Sequence, residues 1–289
     1  RRVIMASWTW GFAAGGISVA MVAWSCLKRR QRLDSERLRS GKRFLRLLDF
    51  ETSYIMMYGL ASTTTVTFYE GEIDEEALRK RVRKITAKNP WLGGRLVTDD
   101  NGNVGLAYGD PNWEAGILKI LDGAEDENLA KFTKDTPYDM LSKTLERANL
   151  AVKLGSQILN KDENVFQFSL VKQTSVAENK GEKINSKFAI VTSLCHCVGD
   201  GRTFYRIRNM LDLKTKIVSL DATRIPDRIF VGELRAALGR EESNIVTSWG
   251  VVLNHATGLL MTLIKGKAIS RLFKVNMDWV KSQKKIQIK

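Results

Sequence analysis

Two stretches of the sequence carry no charged side chain: Val3–Leu27, 25 residues long, and Ile245–Ile264, 20 residues long. About 20 apolar residues suffice for a helix to span a bilayer, so the first run predicts one transmembrane helix within residues 1–30. Trp8, Trp10 and Trp24 sit near its ends, where indole rings favour the headgroup boundary. A secretory signal peptide is the competing reading, but the run is long for one and no clear small-x-small cleavage site follows. Gly11 and Gly15 have small-xxx-small spacing, which predicts a helix face suited to a membrane-protein partner. The second run has Asn254 and His255 at its centre, and Lys265 and Lys267 follow it. Its length admits a second span. Its polar centre favours a buried or membrane-surface helix, with His255 a core or boundary side chain rather than a catalyst.

Between the two runs the apolar positions fall into shorter periods. Ser35–Leu48 is basic, with leucines at helical spacing, and reads as a short amphipathic helix or a linker. Ser62–Tyr69 alternates and is rich in Thr, Val and Phe, as a strand is. After a turn at Gly71, Asp74 is placed to cap a helix with the apolar stripe Ala77, Leu78, Val82 and Ile85, ending before Asn89-Pro90. Trp91–Val97 reads as extended, Asp99-Asp100-Asn101-Gly102 as a turn, and Val104–Tyr108 as the second arm of a hairpin. Residues 127–159 show no clean period. Val165–Val171 and Phe188–Leu194 read as strands, the second an apolar run typical of a buried one, with a polar loop over Ala177–Lys187 between them. Helical spacing returns from Thr203 with Phe204, Ile207, Met210 and Leu211. The order is mixed α/β with strand-to-helix transitions.

Composition narrows the partners. With 44% hydrophobic and 27% charged residues, the chain has a globular and not a disordered composition. The formal net charge of +14 calls for an anionic partner. Nine of the basic residues (Lys28, Arg29, Arg30, Arg32, Arg37, Arg39, Lys42, Arg43 and Arg46) crowd in just after the first apolar run. A cluster in that position is drawn to anionic headgroups by roughly 1 kcal/mol per residue near the surface. It also places the rest of a single-pass chain on the cytosolic, or equivalent positive-inside, face. No zinc-finger spacing or RNP-type aromatic motif accompanies the charge, so no nucleic-acid partner is expected. Cys26, Cys195 and Cys197 are too few, and odd in number, for a disulfide framework, which points to a reducing compartment. A strand would turn Cys195 and Cys197 to one side and His196 to the other. No second ligand cluster follows, and no metal site is expected.

The chemistry concentrates in Phe188–Tyr205. A buried strand delivers His196 to its C-terminal end, a short turn with Gly199 and Gly201 follows, and a helix begins near Arg202. Reactive side chains are common at such junctions, and a histidine there is suited to general-base work near neutral pH. His196, Asp200 and Gly201 match the His-x-x-x-Asp-Gly signature, and the segment resembles the CoA-dependent acyltransferase superfamily. That superfamily includes chloramphenicol acetyltransferase, condensation domains, alcohol acyltransferases and wax ester synthase/diacylglycerol acyltransferases. Many members carry a second histidine where this chain has Cys195, so it looks like the single-histidine branch. Glu72–Val97, with its helix and Asn89-Pro90-Trp91-Leu92-Gly93-Gly94-Arg95 ending, resembles the first strand-helix unit of the family. Ser270–Lys284 resembles the strand and helix that open its second lobe.

The resemblance runs from about Phe50 to the end. It implies a chloramphenicol-acetyltransferase-like N-terminal lobe (a mixed sheet with flanking helices) over residues 50–269. A transmembrane anchor over 1–30 and a basic juxtamembrane linker or helix over 31–49 would precede it. Residues 270–289 would begin a second lobe that the sequence does not complete, and the Asp-Phe-Gly-Trp-Gly-type motif of that lobe is absent. The family's histidine deprotonates an acceptor hydroxyl or amine that attacks an acyl thioester. Its aspartate is architectural, pairing with an arginine. The resemblance therefore implies His196 as base, with Asp200 and Gly201 as supports of the site. It implies no bound cofactor, with acyl-CoA as co-substrate and a hydroxyl acceptor; the charge-free run 3–27, the basic cluster after it and the Ile245–Ile264 run suit a lipophilic acceptor and membrane lipid as a partner. A non-catalytic acyltransferase-derived subunit of a membrane complex is the alternative. CoA-binding residues are not assigned.

Overall fold

The computed structural model describes residues 29–109, 116–123, 129, 132–173, 187–225 and 227–239, with single positions at 250, 253, 257 and 258. The apolar run 3–27 with Gly11 and Gly15, residues 174–186, most of 245–264 with His255, and 270–289 lie outside the described residues. Among the described residues, no helix is long and apolar enough to cross a membrane.

The main sheet is four-stranded and mixed. Its strands are β2 (Thr63–Glu70), β7 (Lys187–Leu194), β6 (Phe166–Gln173) and β5 (Leu118–Asp122), in the order β2-β7-β6-β5. β7 is antiparallel to both neighbours, with Thr63 opposite Leu194 and Phe166 opposite the same Leu194. β5 runs parallel to β6. Side chains alternate across this sheet. Phe166, Phe168 and Leu194 pack with Val82 and Ile85 of α2 (Glu75–Lys88) and with Phe204 and Ile207 of α5 (Gly201–Asn209). Val171, Ala189 and Val191 pack with Leu141 and Leu145 of α3 (Tyr138–Arg147). Helices thus cover both faces, as a sheet apolar on both sides requires. Asp74 caps α2 as its position suggested, its carboxylate accepting from the Ala77 amide at 2.9 Å.

A second, three-stranded antiparallel sheet has the order β1-β4-β3, formed by Arg43–Arg46, Val104–Tyr108 and Arg95–Thr98. Its Leu96 and Leu106 join the main core, while Val97 and Ala107 meet Leu38 on the other face. Leu38 belongs to α1 (29–39). The Ser35 hydroxyl of the same helix donates to the Thr98 carbonyl.

The basic segment takes the helix alternative in its first part and a strand in its second. Residues 29–39 are a docked helix, and Arg43–Arg46 is a strand paired with β4. The packed fold therefore begins before residue 50. The strand escapes a pattern reading because both its ends are exposed arginines and only Phe44 and Leu45 turn inward. The expected extended stretch Trp91–Val97 is likewise split. Pro90–Gly93 is a 3-10 turn burying Trp91 and Leu92, and β3 starts at Arg95. Pro90 sets the φ of the first turn position. The buried Asn89 side chain holds the chain there, donating to the Ile85 and Val218 carbonyls at 3.0 Å and accepting from the Leu220 amide at 2.7 Å.

Candidate active site at the His196 turn

β7 delivers the site. Its last residues are buried, and the Ser193 hydroxyl accepts from the Val152 amide at 2.9 Å and shares a 2.8 Å hydrogen bond with Thr64 of β2. The Cys195 amide continues the pairing to the Val165 carbonyl at 2.8 Å. Residues 196–198 then turn, and α5 starts at Gly201. The strand-turn-helix junction expected from the sequence is present, with each flank tied by hydrogen bonds.

Cys195 and Cys197 point into the core and are buried, with His196 half-buried between them. The Cys197 thiol donates to the Met56 carbonyl at 3.3 Å and lies 3.5 Å from the Met57 sulfur. Its hydrogen bond with Cys195 and its burial push the Cys197 thiol up. The His196 Nδ1 is buried and has no hydrogen-bond partner among the described residues. A buried polar nitrogen ordinarily finds a partner, which makes this one an exception.

Asp200 caps α5. Its carboxylate accepts from the Thr203 amide at 2.8 Å, and that amide holds it below the usual carboxylate range. Among the described residues Asp200 makes no ion pair with an arginine, the arrangement the family resemblance implied. The arginine of this site is Arg224, and it grips the turn by another route. Its guanidinium donates to the Val198 carbonyl at 3.0 Å and to the Ala222 carbonyl at 2.9 Å, and pairs with the Glu51 carboxylate at 3.0 Å. Both side chains are mostly buried, 17% and 18% exposed. Neither residue stands out in the sequence, because the contact joins segments remote along the chain.

Neither turn glycine takes a left-handed conformation. Gly199 is there for space: a Cβ would lie 2.9 Å from the Leu194 side chain and 3.2 Å from that of Thr203. Gly201 has open space where a Cβ would stand, so a side chain there would occupy the approach to the turn without disturbing the core.

Two larger clefts of about 860 and 910 Å³ open on the two faces of β2. One is walled by Thr67, Tyr69 and Phe188 with α2 and Arg208, the other by Thr64, Val66 and Phe68 with α3. His196 lines neither.

No protein-family model matches the chain, and no curated protein matches it. Several solved structures are similar to it. One is the trichothecene 15-O-acetyltransferase TRI3 of Fusarium sporotrichioides, 12% identical, with a TM-score of 0.40 over 59% of this chain and 34% of that one. Another is TRI101 of F. sporotrichioides complexed with coenzyme A and T-2, 15% identical, with a TM-score of 0.38 over 58% of this chain and 40% of that one. A third is the starter condensation domain of rhizomide synthetase RzmA, 16% identical, with a TM-score of 0.39 over 62% and 42%. The chain spans less than half the length of each. Of these, the first is an O-acetyltransferase and the third a condensation domain.

Proposed function

We propose that the chain is the His196-bearing lobe of a membrane-anchored acyltransferase that moves an acyl group from acyl-CoA to a hydroxyl on a lipophilic acceptor. The observation that carries this reading is the His196 imidazole itself. It sits half-buried at the end of a hydrogen-bonded strand, in a turn clamped by Arg224 and followed by the Asp200 helix cap. In this mechanism His196 takes the acceptor's proton as the acceptor oxygen attacks the thioester carbonyl. The new C–O bond forms, the C–S bond breaks, and the imidazolium returns the proton to the departing CoA thiolate. Asp200 and Arg224 position the turn and touch no reacting atom. A rigid turn matters because misplacement of a base by a single ångström weakens catalysis severely. The charge-free run at 3–27 and the basic residues after it support a membrane anchor with the lobe on the positive-inside face.

The test is acyl transfer by the full-length protein, read as free CoA released from acyl-CoA with a long-chain alcohol in vesicles. His196→Ala should abolish it, and turnover equal to wild type would remove the assignment. A second reading, a non-catalytic subunit of a membrane complex, is favoured by one observation: both larger clefts avoid His196. It predicts no CoA release from the wild-type protein either.

A further inference from the structure

Residues 50–60 form a segment that is apolar on both its buried and its exposed side. Its π-helical turn, Ile55–Gly59, buries Met56 and Met57 against the Cys197 sulfur. Its outward face is nevertheless apolar: Phe50 is 66%, Tyr54 77% and Tyr58 56% exposed, with Ile55 and Leu60 exposed beside them. The Tyr54 and Tyr58 rings stack at 4.9 Å. Single exposed apolar side chains are ordinary, but a contiguous aromatic patch marks a contact surface. This one is anchored on the same sulfurs that hold the His196 turn, and Glu51 within it holds Arg224.

We propose that this patch is a lipid-contact surface, seating the His196-bearing lobe on an anionic bilayer. The argument for lipid rests on charge and on continuity. Residues 28–60 carry nine basic side chains against four acidic ones. Lys42, Arg43 and Arg46 are exposed, and Arg46 lies within about 14 Å of Phe50 by chain length alone. Leu38 and Ser35 dock α1 on the small sheet, leaving Arg29, Arg30, Arg32 and Arg37 outward. The helix therefore ties the packed lobe directly to the residues that follow the charge-free run 3–27. Tyrosine and phenylalanine flanked by arginine are what a headgroup boundary takes, and basic residues near it add electrostatic attraction. The inference rests on the membrane-anchored reading above. It adds to that reading which face of the lobe meets the lipid.

The test uses the full chain in phosphatidylcholine–phosphatidylserine vesicles. A solvent-sensitive fluorescent amino acid replaces Tyr58 or, as a control, Tyr138 on α3. Lipids brominated on the acyl chain should quench position 58 and leave position 138 bright, with weaker quenching when phosphatidylserine is omitted. Equal quenching at both positions, or none at 58, overturns the proposal. So does a blue-shifted but unquenched label at 58, which would mean that protein covers the patch. The readout involves no acyl transfer, so its failure leaves the His196 assignment standing. Conversely, an inactive wild-type protein whose position 58 is quenched would leave the surface standing without the enzyme.

Discussion

The carboxylate of Glu51 and the guanidinium of Arg224 meet at 3.0 Å across 173 residues of sequence, and the same guanidinium holds the Val198 carbonyl, two residues beyond His196. One side chain thus joins the segment before β2, the His196 turn and the chain after α5. Arg224→Ala should cost about 2–4 kcal/mol in urea denaturation, because it strands a mostly buried carboxylate and a carbonyl together. It should also lower turnover by loosening the turn. Arg224→Lys should recover part of the stability, since it keeps the charge but not the planar set of donors. Equal stability of Arg224→Ala and wild type would show that the clamp contributes nothing.

Asp200 separates a structural from a chemical role. Asp200→Ala removes the α5 cap and should cost about 1 kcal/mol, whereas Asp200→Asn keeps an accepting oxygen and should retain most of both stability and turnover. Because the folded carboxyl is held below its ordinary 3.8, its contribution is complete above that value. It is lost as the pH falls from there through the lowered folded value. Asp200→Asn should flatten this part of the acid-denaturation curve. A collapse of turnover in Asp200→Asn with stability unchanged would place Asp200 in the chemistry instead.

Gly155 tests the packing beneath the turn. A Cβ there would meet the Cys197 sulfur at 2.6 Å and the Met57 sulfur at 3.0 Å. Gly155→Ala should destabilise by about 1–3 kcal/mol through overpacking. Adding Cys197→Ala makes room, and the double variant should lose less than the sum of the two singles. Strict additivity of the melting curves would argue that the two residues do not share this space.

The two thiols beside His196 should be inert in the native protein. Both are buried, and the Cys197 thiol is pushed up, whereas alkylation needs exposed thiolate. Peptide mapping after iodoacetamide should find Cys195 and Cys197 unmodified until denaturant is added. Rapid native labelling of either would mean that the turn opens.

Local signals located much of this fold. Asp74 announces α2, the Asp99–Gly102 turn announces the β3–β4 hairpin, and the apolar run before Cys195 announces β7, since caps, turns and periodicity act within a few residues. Elements defined by distant partners stayed hidden. β5 is five residues whose parallel pairing depends on β6, about fifty positions further on. β1 is four residues with arginine at both ends. Within the site, His196 and its junction were legible from one motif. The Arg224–Glu51 clamp was not, because nothing near either residue marks it. The expected arginine partner of Asp200 yields to a helix cap, since Thr203 presents its amide three residues away.

β2 has a neighbour on one side only among the described residues. Along an antiparallel ladder successive amides point alternately toward and away from the paired strand. Hydrogen–deuterium exchange should therefore show a two-residue beat along Thr63–Glu70, slow amides bonded to β7 alternating with fast ones on the outer side, while β7 itself exchanges slowly throughout. That beat is a built-in reporter. Whatever comes to lie along the outer edge would silence the fast amides first, and the moment of silencing can be timed residue by residue.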